Sequence, residues 1–432
     1  MTQTSTPKST STAAGVSPTS ERNTGLIQGL MAYGLWGLLP LYFLTIGIAS
    51  PMEIVANRIV WSLVFCAILL SVTRNWHQLF ALGRDRRAMV RLSVASVLIA
   101  VNWLTYTFAV LNGLVGVYYM RGDFEQSRST AEDLLARALN RNDKTGLLMG
   151  HRVLGMSLFA IGELAEARRH LEAALALYEA PLHAPLALVF SHDFKATAEV
   201  YLGLTMVLQG DVEAGLAHGR AALAYAEELR QPHSICYVLP FLAGALLVSG
   251  MPAAAEPIAE RTIVLSAEYG FPQWVAGGLL LRGWARLELG QVESAIADIR
   301  SSISGLEASG TLVWMQFARF LLARGLAKAG QSDAALELVE RILAEIRATG
   351  GRWYEAELHR LKGELLLAAG RPRAEVEACY EAAAAVAARQ GSRLWQRRAA
   401  GNLATPQRLD AQPPAADDRP AQRELPNLPS SC

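Results

Sequence analysis

The chain has 432 residues, 52% of them hydrophobic and only 18% charged, with 40 basic against 39 acidic side chains. One simple core does not hold that length, and a net charge of +1 excludes charge-driven binding of nucleic acid or of an acidic substrate. Cys66, Cys236, Cys379 and Cys432 show neither a CxxC spacing nor a paired framework, which points to reduced or inert thiols.

Residues 1–24 are half Ser or Thr and carry no apolar run. They read as a disordered tail and not as a signal peptide. Three hydrophobic segments follow, at 25–48, 54–72 and 92–117. The first and third are uncharged, and the second is interrupted only by Arg58. At ~1.5 Å per helical residue, ~20 residues cross a ~30 Å hydrocarbon core, so each is long enough to span a bilayer. Arg58 lies one turn into its segment, where it can snorkel. Arg74, Arg84, Arg86, Arg87 and Arg91 all lie between the second and third segments, and the loop at 47–52 has no basic residue. The positive-inside rule then places the amino terminus in the cytoplasm.

The motifs AYGLWGLLPLYF at 32–43, EIVANRIVWS at 53–62 and NWLTYTFAVLNG at 102–113 resemble the first three spans of RarD-type proteins. These belong to the EamA-like drug/metabolite transporter superfamily. The resemblance implies a multi-pass segment of the inner (cytoplasmic) membrane at 25–113, in contact with lipid. Asn57 departs from it, standing where some relatives are expected to have His. Such transporters have ten spans in two repeats, whereas here the pattern stops near Gly113. Three spans do not enclose a site at a repeat interface, so the resemblance implies a truncated permease, joined without a linker to an unrelated segment.

From residue 114 to 404 the spacing of small residues takes over. Gly122, Gly162, Gly210, Gly250, Gly290, Gly330 and Gly370 follow one another at steps of 40, 48, 40, 40, 40 and 40 residues. The long step contains Ala180 to Leu186, read as a loop insertion. Seven residues before these glycines stand Val115, Gly155, Gly203, Ala243, Gly283, Ala323 and Gly363. Five residues after them stand Ser127, Ala167, Gly215, Ala255, Ala295, Ala335 and Glu375. A period of that size with small residues at fixed offsets predicts stacked helix pairs. The period glycine ends each leading helix in the left-handed conformation, and the two small columns mark where paired backbones approach.

Turns such as GDFE at 122–125, GELAEA at 162–167 and GQVESA at 290–295 resemble tetratricopeptide turns, although the unit exceeds the usual ~34 residues. RGDF at 121–124, RGWA at 282–285, WYEAELHRLKG at 353–363 and RQG at 389–391 resemble the carboxy-terminal tetratricopeptide-like region of bacterial cyclase–ATPase regulators. That resemblance implies a partner-sensing region and offers a second role, the regulatory chain of a nucleotide cyclase or ATPase. The whole chain thus reads as all-α. Three transmembrane helices are followed by a right-handed tetratricopeptide-like α-solenoid of about seven helix pairs. An amino terminus in the cytoplasm followed by three spans puts the solenoid outside, whereas the cyclase–ATPase resemblance implies a cytoplasmic one.

No enzyme motif accompanies the repeats. Lys144, the only Lys that precedes a Thr, lacks the glycines of a phosphate loop, and no HExxH, GxSxG or GxGxxG occurs. His183, His192 and Asp193 lie in and after the insertion and are expected to be solvated, not metal-bound. Glu355 and Glu357 are expected on a solvated face. No catalytic, metal or cofactor site is therefore assigned. A protein or peptide partner is expected on the concave side, where the period places Arg152, Tyr237, Trp284, Phe320, Arg324, Arg360 and Glu364. Trp284 and Phe320 are equally compatible with packing between repeats. After Ala404, Pro406, Pro413, Pro414, Pro420, Pro426 and Pro429 predict the end of helix and a disordered tail over 405–432.

Overall fold

The computed structural model describes residues 86–410 together with Ser71 and Trp76. The expected spans at 25–48 and 54–72, the first tail and residues 411–432 lie outside the described residues. The chain divides into two compact units, 1–100 and 101–432. The second holds the repeats.

Among the described residues all regular structure is helical. The pairs are α1 (Arg86–Met120) with α2 (Phe124–Arg141), α3 (Lys144–Ile161) with α4 (Leu164–Ala176), and, after the insertion, α7 (Phe194–Gln209) with α8 (Val212–Glu228). Then come α9 (Pro232–Val248) with α10 (Pro252–Glu268), α11 (Pro272–Glu288) with α12 (Val292–Ser309), and α13 (Met315–Lys328) with α14 (Ser332–Thr349). The seventh pair is α15 (Glu355–Ala368) with α16 (Arg373–Gln390), and a last helix, α17 (Arg393–Asp410), covers its end.

Each period glycine closes a leading helix. Gly162 has φ +88°, and Glu163 N–H returns to the Leu158 carbonyl at 2.9 Å. All seven period glycines have positive φ. The small columns meet across each pair. A Cβ on Gly203 would sit 2.6 Å from the Gly215 carbonyl oxygen, and one on Gly283 would sit 3.0 Å from that of Ala295. Ser127, Ala167, Ala255, Ala295 and Ala335 are fully buried at these contacts.

A second turn column went unread in the sequence. Asn142, Arg230, Gly270, Gly310, Gly350 and Gly391 also have positive φ and end the second helices or follow them directly. Asn and Arg interrupt the glycines, which hid the pattern.

Two expectations are corrected. The insertion is no irregular loop: it folds into α5 (Ala180–His183), a 3-10 turn (Ala184–Leu186) and α6 (Ala187–Phe190). Alternating Ala and Leu sustain helical turns there, with a Pro near the start of each of the first two. Helix α17 continues past Ala404 and through Pro406 to Asp410. A proline removes one i→i−4 bond but does not end a helix by itself. Helix α1 runs unbroken through 113 and 114, where the two sequence patterns change. Among the described residues no single helix is long and apolar enough to cross a membrane, and Val110–Met120 is a shorter apolar stretch.

The superhelix closes on itself after five units. N–H groups of Leu312 and Val313, just before α13, donate to the Met120 carbonyl at 2.7 and 3.0 Å. One unit on, Arg352 and Trp353 donate to Ala160 at 2.9 and 3.3 Å. Another unit on, Ser392 Oγ donates to Leu208 at 3.0 Å. Met120, Ala160 and Leu208 each lie two residues before a period glycine, where helix-end carbonyls have no intrahelical partner.

Candidate binding face on the inside of the superhelix

The leading helices turn one face towards the superhelix axis. Six residues before the period glycine this face carries Leu204, Gly244 and Trp284; ten before it, Pro240 and Leu280; thirteen before it, Gly277 and Phe317. All line one cavity of about 70 Å³. Tyr119, Phe124, Phe159, Phe241, Trp314 and Trp353 complete its aromatic wall. Among the described residues no charged side chain lines it.

The sequence-predicted residues occupy these same columns or adjoin them, and most are covered. Trp284 lines the cavity edge-on to Phe317 at 5.4 Å, and its Nε1 donates to Glu288 at 3.0 Å. Phe320 packs against Tyr354 at 5.6 Å, between repeats. Tyr237 is stacked between His192 at 5.5 Å and Phe241 at 5.4 Å. Arg324 pairs with Glu288 at 2.7 Å. Burial opposes ionisation of Glu288, but Arg324, Trp284 and Lys328 outweigh it and hold its pKa below the usual carboxylate value.

At the carboxy-terminal end of the face, Arg360 bridges Glu357 (2.9 Å) and Glu364. Arg398 of α17 reaches the same Glu357 at 3.3 Å and donates to the Val248 carbonyl at 2.8 Å. The solvated position expected for Glu357 is thus wrong: it is 3% exposed, drawn inward by two guanidinium groups. Arg360 three residues on was the available signal.

The histidines of the insertion also differ from expectation. His183 and Asp193 are buried. His183 Nδ1 accepts from Glu179 N–H at 2.9 Å, while Asp193 caps α7 through Ala196 N–H at 2.9 Å and accepts from Tyr178 OH at 2.7 Å. These partners flank the insertion, Tyr178 and Glu179 just before it and Ala196 in the first turn of α7. His192 lies against Phe194 and Tyr237, and burial lowers its pKa well below the ordinary value, with Arg152 and His233 adding to the shift.

Arg152 is 2% exposed. Its guanidinium donates to Asn112 Oδ1 at 3.0 Å and to Met156 Sδ at 3.3 Å, and lies 4.8 Å from the centre of the Phe194 ring. Asn112 escaped the sequence reading, although it stands 40 residues earlier in the same column.

Comparison with known proteins agrees with a chain of two parts. Residues 106–180 match the tetratricopeptide repeat family model. RarD proteins of Streptomyces exfoliatus and Escherichia coli are both 38% identical, over 93 and 88 residues, or 22% and 20% of this chain. The chain spans 30% of the length of each. An uncharacterized protein of Rhizobium meliloti is 25% identical over 242 residues, covering 56% of this chain and 24% of its own length. Among solved structures, a Rap protein complexed with competence and sporulation factor aligns with 69% of this chain and 98% of its own, at 13% identity and a TM-score of 0.44.

Proposed function

We propose that the chain is a non-enzymatic, membrane-anchored protein-interaction scaffold. The RarD-like segment is its anchor in the inner membrane, with the amino terminus in the cytoplasm, and the tetratricopeptide-like solenoid receives a protein or peptide. The observation that supports this reading is the inner face. The period brings Arg152, Tyr237, Trp284, Phe320, Arg324, Arg360 and Glu364 onto or beside the columns that surround the axis. Glu364, with 41% of its side chain exposed, offers the accessible charge, with Arg360 paired to it. A photocrosslinking residue at Glu364 is expected to trap a protein partner in cells, whereas one at Arg300, exposed on α12, is not. Equal trapping at both sites, or at neither, counts against the reading. A reporter fused to the carboxy terminus assigns the compartment of the solenoid.

The identity to RarD proteins favours a second reading, a transporter-family membrane protein with a truncated permease segment. Solute uptake by vesicles containing the chain separates the two, because a scaffold moves no solute.

A further inference from the structure

Between Ala180 and Phe190 the chain carries no Asp, Glu, Lys or Arg. Pro181, Leu182, Pro185, Leu188 and Val189 all face outwards, with Leu188 85%, Val189 70% and Leu182 50% exposed. The base of the insertion is firm. Leu186 and Phe190 pack against the repeat core, and the Phe190 ring lies 5.2 Å from that of Phe194. The outer alkyl groups are thus held away from the core.

The polar groups of the insertion are largely used internally. His183, its only polar side chain, is buried. Its Nδ1 accepts from Glu179 N–H, and its Nε2 lies 3.3 Å from Thr145 Oγ1. Gln231 Nε2 donates to the Ala187 carbonyl at 2.7 Å, and Pro181 and Pro185 have no N–H to satisfy. The tip therefore presents hydrocarbon with few donors or acceptors, which is the condition for contact with lipid. Specific protein interfaces carry direct hydrogen bonds as well, and this tip offers few.

The second observation is position. The Thr145 contact and the Lys144–Glu179 pair at 3.3 Å seat the insertion beside the start of α3. Asn112 of α1 meets Arg152 of α3, one 40-residue period on, at 3.0 Å, and both helices end at a period glycine. The two therefore run side by side, and α1 passes the level of Lys144 at about residue 104. The chain that precedes the repeats thus enters them one unit from the insertion and on the same edge.

We propose that the insertion is a lipid-contacting tip, with Leu182, Leu188 and Val189 set into the acyl boundary of a bilayer. The proposal rests on the anchor reading above, which brings a membrane to this edge. Three alkyl side chains alone hold a surface weakly. A tethered tip needs little affinity, because the tether makes the contact intramolecular.

The test reconstitutes the full chain in vesicles of phosphatidylethanolamine and phosphatidylglycerol with tritiated acyl chains. A diazirine analogue of leucine is placed at one position at a time. At Leu188, light is expected to attach at least tenfold more labelled lipid than at Val264, an alkyl side chain 60% exposed in the middle of α10. With the probe at Leu182, Leu188→Asp together with Val189→Asp is expected to lower labelling at least fivefold. The melting temperature should not change, since both side chains are exposed. Leu38, in the first hydrophobic segment, reports the anchor separately. Labelling at Leu38 without labelling at Leu188 above Val264 overturns the proposal and leaves the anchor standing, and labelling at neither overturns both. Labelling at Leu188 alone supports the tip and contradicts the anchor. Crosslinks from Leu188 to a second copy in place of lipid, or undiminished labelling at Leu182 in the double variant, overturn the proposal.

Discussion

The backbone N–H of Arg352 donates to the carbonyl of Ala160 at 2.9 Å, joining the start of the seventh leading helix to the end of the second. Ala160 belongs to the last turn of α3, where carbonyls lack helical partners. The same relation joins Leu312 to Met120 one unit earlier. A simple solenoid has contacts between neighbouring repeats only. This one adds contacts between units five apart, and they enclose the apolar axis.

A wedge at this contact should loosen the ring without touching a hairpin. A Cβ on Gly351 would lie 2.7 Å from Phe124 Cε2, so Gly351→Val presses the seventh unit away from the first. Overpacking of this kind costs about 1–3 kcal/mol. The melting temperature is expected to fall, and thermal unfolding to divide into two transitions as the halves uncouple. An unchanged single transition would show that the contact carries no stability.

The period glycines predict a different signature. Gly290 has φ +82° and open space around its Cβ position. Gly290→Ala therefore meets only left-handed strain, about 1–2 kcal/mol. Gly290→Asn should cost less, since Asn142 holds the same conformation at φ +51° in this chain. Denaturation of the two variants measures the difference, and equal losses would contradict the turn assignment.

The hairpins were legible because the period is written in residues whose size is dictated locally. A left-handed turn and a backbone contact each accept few side chains. The closure was not legible: Met120, Ala160 and Leu208 act through main-chain carbonyls, which any residue supplies. The inner columns were found by counting, yet the state of Tyr237 and Phe320 was not, because ring packing between repeats depends on units 40 residues apart. Glu357 was legible only in part: Arg360 stands three residues on, but its other partner, Arg398, lies beyond the last repeat.

Arg152 offers a further stability test. Its guanidinium has Asn112 and Met156 as partners and no carboxylate among the described residues. No acid is left unpaired when it is removed, so an apolar residue of similar length should be tolerated. Arg152→Met is expected to match or exceed the wild-type melting temperature, whereas Arg152→Ala, which also removes the packed stem, is expected to fall below it. A large loss in Arg152→Met would show that the guanidinium is itself a structural tie.

Acid should destabilise the solenoid through its buried histidines. Burial, with Arg169 and His151 adding to it, pushes His170 down to about 4. His151, His192 and His359 are lowered too, burial again the leading cause. Unfolded histidine titrates near ~6.5, so below that pH the unfolded chain binds more protons than the folded one, and stability rises with pH across the window. The melting temperature is expected to be flat above about pH 7 and to fall steadily from ~6.5 towards ~4. A flat profile down to pH 5 would contradict the buried, neutral assignment.

Amide hydrogen exchange at Leu312, Val313, Arg352 and Trp353 tests the closed ring most directly. These groups precede helices, where N–H donors have no helical acceptor, so any protection reports the contacts to Met120 and Ala160. Protection comparable to that of amides in the middle of α9 and α11 is the predicted result. Exchange at the rate of an open loop would mean that the units five apart do not meet, and the enclosed axial face would go with them.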